Sequence, residues 1–382
     1  MMDSTKHKLL TSLGNNGSVP GAPVRQFWEY YHGVYLIHTR HYQTGQEEGN
    51  TGHQSIVLKP LKLGAVKAFL AGELLAAGQQ FFSKAYSHDH PDERKDDSSV
   101  AAAILPALIK PPHGGNYLWS GGNRYLLTAK IEGREADYLR RTDLQAAIRA
   151  MKTFHGFTRK LIAKDQKRWE FLRFNLADEW RKRLREMEIC REMAARECPC
   201  RGELNDDWRR RYLAFWPEFY NQAREAVDGL ESLAVNTPAG SEKGGDVICY
   251  HDWAYHNVII GEGTHEGFLI DFDDIIVDRP VHDRANLISR YLRLYSWAPS
   301  AMTRILTDFG RFYEWRPGEL EWLRIYLTFP YEFWMLARQY FIEKQPWSLK
   351  YYQDQWERKI ARRDKRERVL EMIGTITCSH GS

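Results

Sequence analysis

The sequence predicts an α+β protein with a small sheet-bearing N-terminal lobe and a large helical C-terminal lobe. Three observations carry this. The first third holds short β-branched and aromatic runs between Gly-containing turns. From Leu139 onward the apolar residues recur at helical spacing. One strand-like island, Val247 to Ile276, interrupts those helices. Strands first and helices later, with a hairpin set into the helical part, is a segregated plan, not an alternating one.

The elements follow in order. Val34 to Thr39 (VYLIHT) and Ser55 to Leu58 (SIVL) read as strands separated by the polar loop TGQEEGNTGHQ. Leu63 to Gln80 reads as a helix ended by Gly78, and segment 87–98 (SHDHPDERKDDS) as a charged surface loop. Arg124 to Ile131 (RYLLTAKI) is a further strand leading into Glu132-Gly133-Arg134. Arg141-Thr142-Asp143 opens a helix that reaches about His155, with Leu144, Ile148, Met151 and His155 on one face. Residues 166–232 place Trp, Arg and Glu at helical spacing, and 283–382 are helical and unusually aromatic. The expected division is 1–131 for the β-rich lobe with one helix and 132–382 for the mostly helical lobe. The second carries the hairpin at 247–276 and a helical insert at about 160–245.

Composition excludes several classes. With 382 residues the chain is too long for one minimal domain, and 43% apolar residues leave no room for wholesale disorder. A net charge of only +4 gives no reason to expect a nucleic-acid-coating protein. The longest apolar run, Ala101 to Ile109, is far shorter than a membrane span and contains Pro106. The N-terminus has no apolar core of signal-peptide length. Five cysteines, an odd number in a large chain, do not read as a disulfide framework. The expectation is a soluble protein made in a reducing compartment, the cytoplasm, without a signal peptide.

The island carries the chemistry. It reads CYHDWAYHNVII, then GEGTHEG, then FLIDFDD, which is two apolar strands about a Gly-rich turn. Asn257 opens the first strand and Asp271 closes the second, so an antiparallel pair makes them neighbours. An amide oxygen and a carboxylate at one point suit Mg²⁺, which keeps few protein ligands and completes its shell with water and phosphates. Asp252, five residues before Asn257, can face a metal-bound phosphate without being a ligand. Phosphoryl transfer needs that pairing: a carboxylate to take or orient the acceptor's proton, and a cation to neutralise phosphate oxygens. Asp-x4-Asn followed by strand, turn, strand and Asp-Phe matches the protein-kinase pattern.

The segment YHDWAYHNVII…FLIDFDD…DRPVHDRANLI resembles the aminoglycoside phosphotransferase/choline kinase group of the protein-kinase-like fold. Within it the chain most resembles the CotS-type spore coat proteins of endospore-forming bacteria, with RYLLTAKIEGREADY…DLQAAIRAMKTFHGFTR supporting the narrower match. The resemblance covers about residues 24–345. It implies a two-lobed kinase-like fold using ATP and Mg²⁺ to phosphorylate a small hydroxyl-bearing molecule, with spore coat proteins as further partners and deposition on the coat. Carried over by position, it implies Asp252 as catalytic residue and Asn257 and Asp271 as metal ligands. Lys59 would hold the α/β-phosphates, with Glu73 on the following helix as its partner. Thr128 to Ile131, Lys130 included, would form the hinge against adenine, and Asp283 would brace the catalytic loop.

The chain departs from the group's pattern in two places. Tyr250 stands where a His two residues before the catalytic Asp is usual, and only Gly33 stands in for a Gly-rich phosphate loop before Lys59. A kinase-like structural component of the coat, without catalysis, is therefore the alternative reading. Asp273 and Asp274 admit a second metal, with a solvated loop favoured. His155 reads as a core histidine. Cys190, Cys198 and Cys200 read as free thiols, their spacing fitting no common zinc finger. Trp356 to Met372 reads as a basic amphipathic helix whose Trp356, Ile360, Val369 and Leu370 pack on the helical lobe.

Overall fold

A computed structural model of the chain describes residues 18–19, 22–31, 34–41, 52–61, 65–86, 104–110, 115–120, 122–196, 203–236, 245–316 and 318–380. Gly33, the loop at 87–98, and Cys198 and Cys200 lie outside them. The chain divides into two compact units. One comprises the chain up to Leu172 together with Tyr250–Val277, and the other Arg173–Cys249 together with Asp278 to the C-terminus.

The first unit holds a six-stranded antiparallel sheet. Its strands are β1 (Ser18–Val19), β2 (Ala22–Tyr31), β3 (Val34–His41), β4 (Gly52–Leu61), β5 (Leu118–Ser120) and β6 (Asn123–Ala129), in the order β1-β2-β3-β4-β6-β5. In β4, Ile56 and Leu58 are fully buried while Val57 and Lys59 alternate to the other face, the period-two consequence of a pleated strand. Helix α1 (Ala65–Tyr86) follows β4 and buries Leu70, Leu74 and Leu75.

Gly78 does not end α1. It lies inside the helix, where a Cβ would come within 2.5 Å of Leu105 and 3.5 Å of the Phe157 ring. The glycine is spent on close approach, and the helix continues past it.

Beyond β6, strand β7 (Gly133–Glu135) pairs antiparallel with β9 (Val258–Gly261), which pairs in turn with β10 (Gly267–Leu269). At Gly133 a Cβ would sit 2.2 Å from the Ile260 carbonyl oxygen, so only glycine allows that pairing. Helix α2 (Arg141–Lys164) runs about two and a half turns past His155, where Phe157 and Thr158 continue its buried face. Gly267 of β10 packs on α2, its ideal Cβ position 3.0 Å from the Ala146 carbonyl oxygen. Arg134 of β7 forks onto Asp143 in the first turn of α2, at 2.5 and 2.9 Å, and Asp143 also accepts the Asp137 amide at 2.9 Å. These ties assign α2 and the hairpin to the first unit, whereas the sequence division at 131/132 groups them with the later helices. The reason is that β7 pairs through its backbone with β9 of the hairpin and α2 packs closely on β10.

Two short turns of helix, α3 (Gln166–Trp169) and a 3₁₀ segment (Glu170–Leu172), close this stretch. The second unit contains α4 (Leu176–Ala195), α5 (Glu203–Asn236), strand β8 (Val247–Cys249), α6 (Pro280–Leu294), α7 (Pro299–Gly310), α8 (Glu319–Thr328), α9 (Tyr331–Ala337), α10 (Leu349–Ile360) and α11 (Arg363–His380). Strand β11 (Ile276–Asp278) leads into α6. The aromatic excess forms this unit's core. Tyr212 stacks on Phe333 at 5.1 Å, Trp208 meets Trp356 edge-on at 5.1 Å, and both tryptophans are buried. The basic segment at the C-terminus is two helices, α10 and α11, with Trp356 and Val369 buried as its apolar side requires. Among the described residues no helix is long and apolar enough to cross a membrane.

Candidate active site

The hairpin makes the juxtaposition that its sequence implies. Val258 faces Leu269, Ile259 faces Phe268 and Ile260 faces Gly267. One step further out, the Ile270 amide donates to the Asn257 carbonyl at 3.0 Å, so Asn257 and Asp271 stand at the same end. Asn257 is buried, and its side-chain N–H groups donate to Asp252 Oδ2 at 2.9 Å and to the Asp252 carbonyl at 3.2 Å. With two acceptors on its nitrogen side, the amide presents its oxygen away from Asp252. That oxygen is the atom a hard cation would use.

Two residues here adopt left-handed backbone without being glycine: His251, with φ of 69°, and Asp271, with φ of 68°. One directly precedes Asp252 and the other is itself a site residue. Such conformations cost free energy and persist where surrounding packing over-determines them.

The packing comes from Tyr250. It is fully buried among Phe154, Trp253 and Phe272, with ring centroids 5.1–6.2 Å away. Its hydroxyl donates to the Ile270 carbonyl and lies 3.3 Å from the Asn257 carbonyl. One phenol thus ties the approach to Asp252 to both strands of the hairpin. The departure at this position supplies a strut.

Lys59 reaches this cluster from β4. Its Nζ pairs with Asp271 and lies 3.1 Å from Asp273 Oδ2. The Asp273 backbone amide donates to Asp271 Oδ1 at 3.3 Å, which ties the Asp271 carboxylate to the Asp273 backbone. Asp273 is not in a solvated loop. Its side chain is 14% exposed and its Oδ1 is buried without a hydrogen-bond partner. Burial pushes its carboxyl up, and repulsion from Asp271 and Asp274 adds to that against the pull of Lys59. The run I-D-F-D was the available signal: Asp271 and Asp273 both meet Lys59, while Phe272 between them is buried.

Glu73 does not hold Lys59. Its Oε1 accepts from Asn116 Nδ2 and its Oε2 pairs with Arg168 of α3. A Cβ at Gly72 would meet the Cβ of Asn116 at 2.4 Å, so α1 lies tight against Asn116 and Glu73 is committed there. Neither Asn116 nor Arg168 carries a sequence signal, because both contacts bridge distant segments.

The hinge also differs from expectation. Thr128 pairs with Val57 on one side and bridges Leu108 on the other. The Ala129 amide donates to Ala107 at 2.8 Å and the Ile109 amide to Leu127 at 2.9 Å. The strand edge at Thr128 is therefore already occupied by 107–109. Lys130 is exposed and pairs with Glu132 at 2.6 Å. Asp283 belongs to the second unit, fully buried in the first turn of α6. There, after burial itself, it is the largest influence pushing the buried Cys249 thiol up.

Asp271 and Asp273 share Lys59, and Asp274 adds repulsion at Asp273, so a divalent cation at Asp271 would relieve the crowding of carboxylates there. Asn257 and Asp271 form a hard-oxygen pair of the type that fits Mg²⁺.

No protein-family model matches the sequence, and no curated protein matches it significantly. Solved structures do match. An aminoglycoside phosphotransferase from Alicyclobacillus acidocaldarius aligns with a TM-score of 0.68 at 15% identity, over 93% of this chain and 92% of that one. Spectinomycin phosphotransferase, in complex with ADP and spectinomycin, aligns with a TM-score of 0.52 at 12% identity, over 92% and 93%. An amicoumacin kinase bound to AMP-PNP and Ca²⁺ aligns with a TM-score of 0.50 at 15% identity, over 91% and 88%. The chain has the α+β kinase-like fold that these small-molecule phosphotransferases share.

Proposed function

We propose that this protein transfers the terminal phosphoryl group of ATP to a hydroxyl of a small molecule. The observation that carries the reading is that the Lys59–Asp271 and Asn257–Asp252 pairs stand at one end of the hairpin, joined through the Ile270 amide bond to the Asn257 carbonyl. In this reading Asp252 orients the acceptor hydroxyl and takes its proton as the oxygen attacks the γ-phosphorus. A new P–O bond forms, the bond to the β–γ bridging oxygen breaks, and ADP leaves. Asn257 would hold Asp252 in place through its N–H groups and offer its amide oxygen, with Asp271, to Mg²⁺. When bound, that ion would neutralise phosphate oxygens. Lys59 would leave Asp271 and bind the α/β-phosphates. Lys130 and the backbone from Lys130 to Ile131 would flank the adenine, taking the part first assigned to Thr128. Asp283 would act as a structural residue.

The test is calorimetry with Mg-AMP-PNP, followed by Mg-ATP turnover on a panel of aminoglycoside, nucleoside and amino-alcohol acceptors. Binding by the wild type, with turnover lost in Asp252→Asn while binding persists, is the expected result. Absence of binding at millimolar nucleotide overturns the reading.

A second reading has its own observation: Lys59 is neutralised by Asp271 and Asp273 instead of being poised by Glu73. Together with the likeness to CotS-type proteins, it supports a kinase-like component of a spore coat that performs no transfer. A coat phenotype lost in Asp252→Asn, with the protein still folded and localised, would count against it.

A further inference from the structure

We infer that Asp273, and not Glu73, is the positioning residue for Lys59. The inference rests on the phosphotransferase reading for its purpose, but its contacts stand without it. Both oxygens of Glu73 are occupied, one by Asn116 and one by Arg168, and the close seat of Gly72 on Asn116 keeps that face of α1 in place. Lys59 projects from the face of β4 opposite the buried Ile56 and Leu58, and there it meets Asp273 Oδ2 at 3.1 Å. Asp273 is well enclosed, and its other oxygen is buried with no partner. Among the described residues, the charge that compensates a carboxylate buried in this way is the lysine.

The partnership differs in kind from the one with Asp271. A carboxylate that turns to a metal must release the lysine, whereas Asp273 can keep it. Asp271 and Asp273 are locked together by the 3.3 Å bond from the Asp273 amide. The lysine would thus be positioned by the same segment that carries Asp271, and its placement would not depend on how α1 sits. Arg168 would hold Glu73 as a structural latch within the first unit, with no part in switching the site.

Two measurements test this. The first is the rate at which an amine-acylating reagent labels Lys59 in metal-free, nucleotide-free protein, read by peptide mass spectrometry. Asp273→Asn should raise the rate at least threefold, Asp273→Glu should return it toward wild type, and Glu73→Gln and Arg168→Gln should leave it within twofold. The second is Mg-AMP-PNP affinity, expected to fall about tenfold in Asp273→Asn and to recover in Asp273→Glu. Labelling that rises in Glu73→Gln as much as in Asp273→Asn overturns the assignment. So does Arg168→Gln tightening nucleotide binding severalfold, since that would make Glu73 the partner that Arg168 withholds. If Asp273→Asn does not fold, labelling in Glu73→Gln still decides: a rise overturns the assignment and an unchanged rate supports it. A wild type that binds no nucleotide, yet shows the labelling pattern, would sink the phosphotransferase reading and leave the Lys59–Asp273 assignment standing.

Discussion

The side-chain amide of Asn257 donates to both the carboxylate and the backbone carbonyl of Asp252, at 2.9 and 3.2 Å. The residue proposed to take a proton is therefore held by the residue proposed to hold the metal. Removing the amide in Asn257→Ala should cost roughly 1.5–3 kcal/mol of transition-state stabilisation, the range for hydrogen bonds to charged groups, which is about 10- to 160-fold in kcat/KM. Asn257→Asp should do no better, because it keeps an oxygen ligand but sets one carboxylate against another. Steady-state kinetics on the two variants checks this.

Tyr250 should be worth more to stability than its ring alone. Tyr250→Phe preserves the contacts with Phe154, Trp253 and Phe272 but leaves the Ile270 carbonyl without the phenol. The expected loss is about 1–3 kcal/mol, the cost of an unsatisfied buried acceptor. Calorimetric melting of the variant measures it.

Arg366 carries a comparable load in the second unit. It donates to the carbonyls of Leu327 at 2.8 Å and of Thr328, the exposed-acceptor end of α8, while stacking over Trp297. Burial pushes its guanidinium down to about 10, which still leaves it charged at neutral pH. Arg366→Leu should destabilise by about 1–3 kcal/mol, the cost of leaving buried carbonyl acceptors without their donor. Urea unfolding followed by tryptophan fluorescence reads the shift in midpoint.

The Arg134–Asp143 fork sets an acid limit. Burial raises the Asp143 carboxyl, but the Arg134 fork and the Asp137 amide outweigh it and hold the group below the usual carboxylate range. A carboxyl depressed in the folded state contributes stability that is present above its unfolded value of about 3.9. That contribution is lost as pH falls through the lower folded value. Asp143→Asn should be less stable than wild type at pH 7, and the difference should shrink below about pH 4. Melting temperatures across that range decide it.

Cys190 and Cys249 should be inert. Burial, reinforced by Glu186, pushes the Cys190 thiol up to about 12, and burial pushes Cys249 well up. Alkylation of native protein, mapped by mass spectrometry, should leave both unmodified; labelling of either within minutes would contradict the packing.

The hairpin was legible because strand period, turn glycines and the ends of an antiparallel pair are local geometry. Val258–Gly261 and Gly267–Leu269 follow from apolar runs about GEGTHEG, and the approach of Asn257 to Asp271 follows from the pairing. The α+β order was legible for the same reason. Glu73, Thr128 and Asp273 were not, because each is settled by a partner distant in sequence. Arg168 and Asn116 claim Glu73, the segment 107–109 covers Thr128, and Lys59 meets a buried Asp273. Gly78 misleads in the same way, since a glycine that stops a helix and one that admits Leu105 are identical in sequence.

By itself, then, the sequence determined the order of elements and the residue types at the hairpin's end, since both depend on short-range backbone geometry. Only the tertiary structure decided which carboxylate meets Lys59. That choice depends on burial and on competition among charges brought together from β4, α1, α3 and the segment after β10.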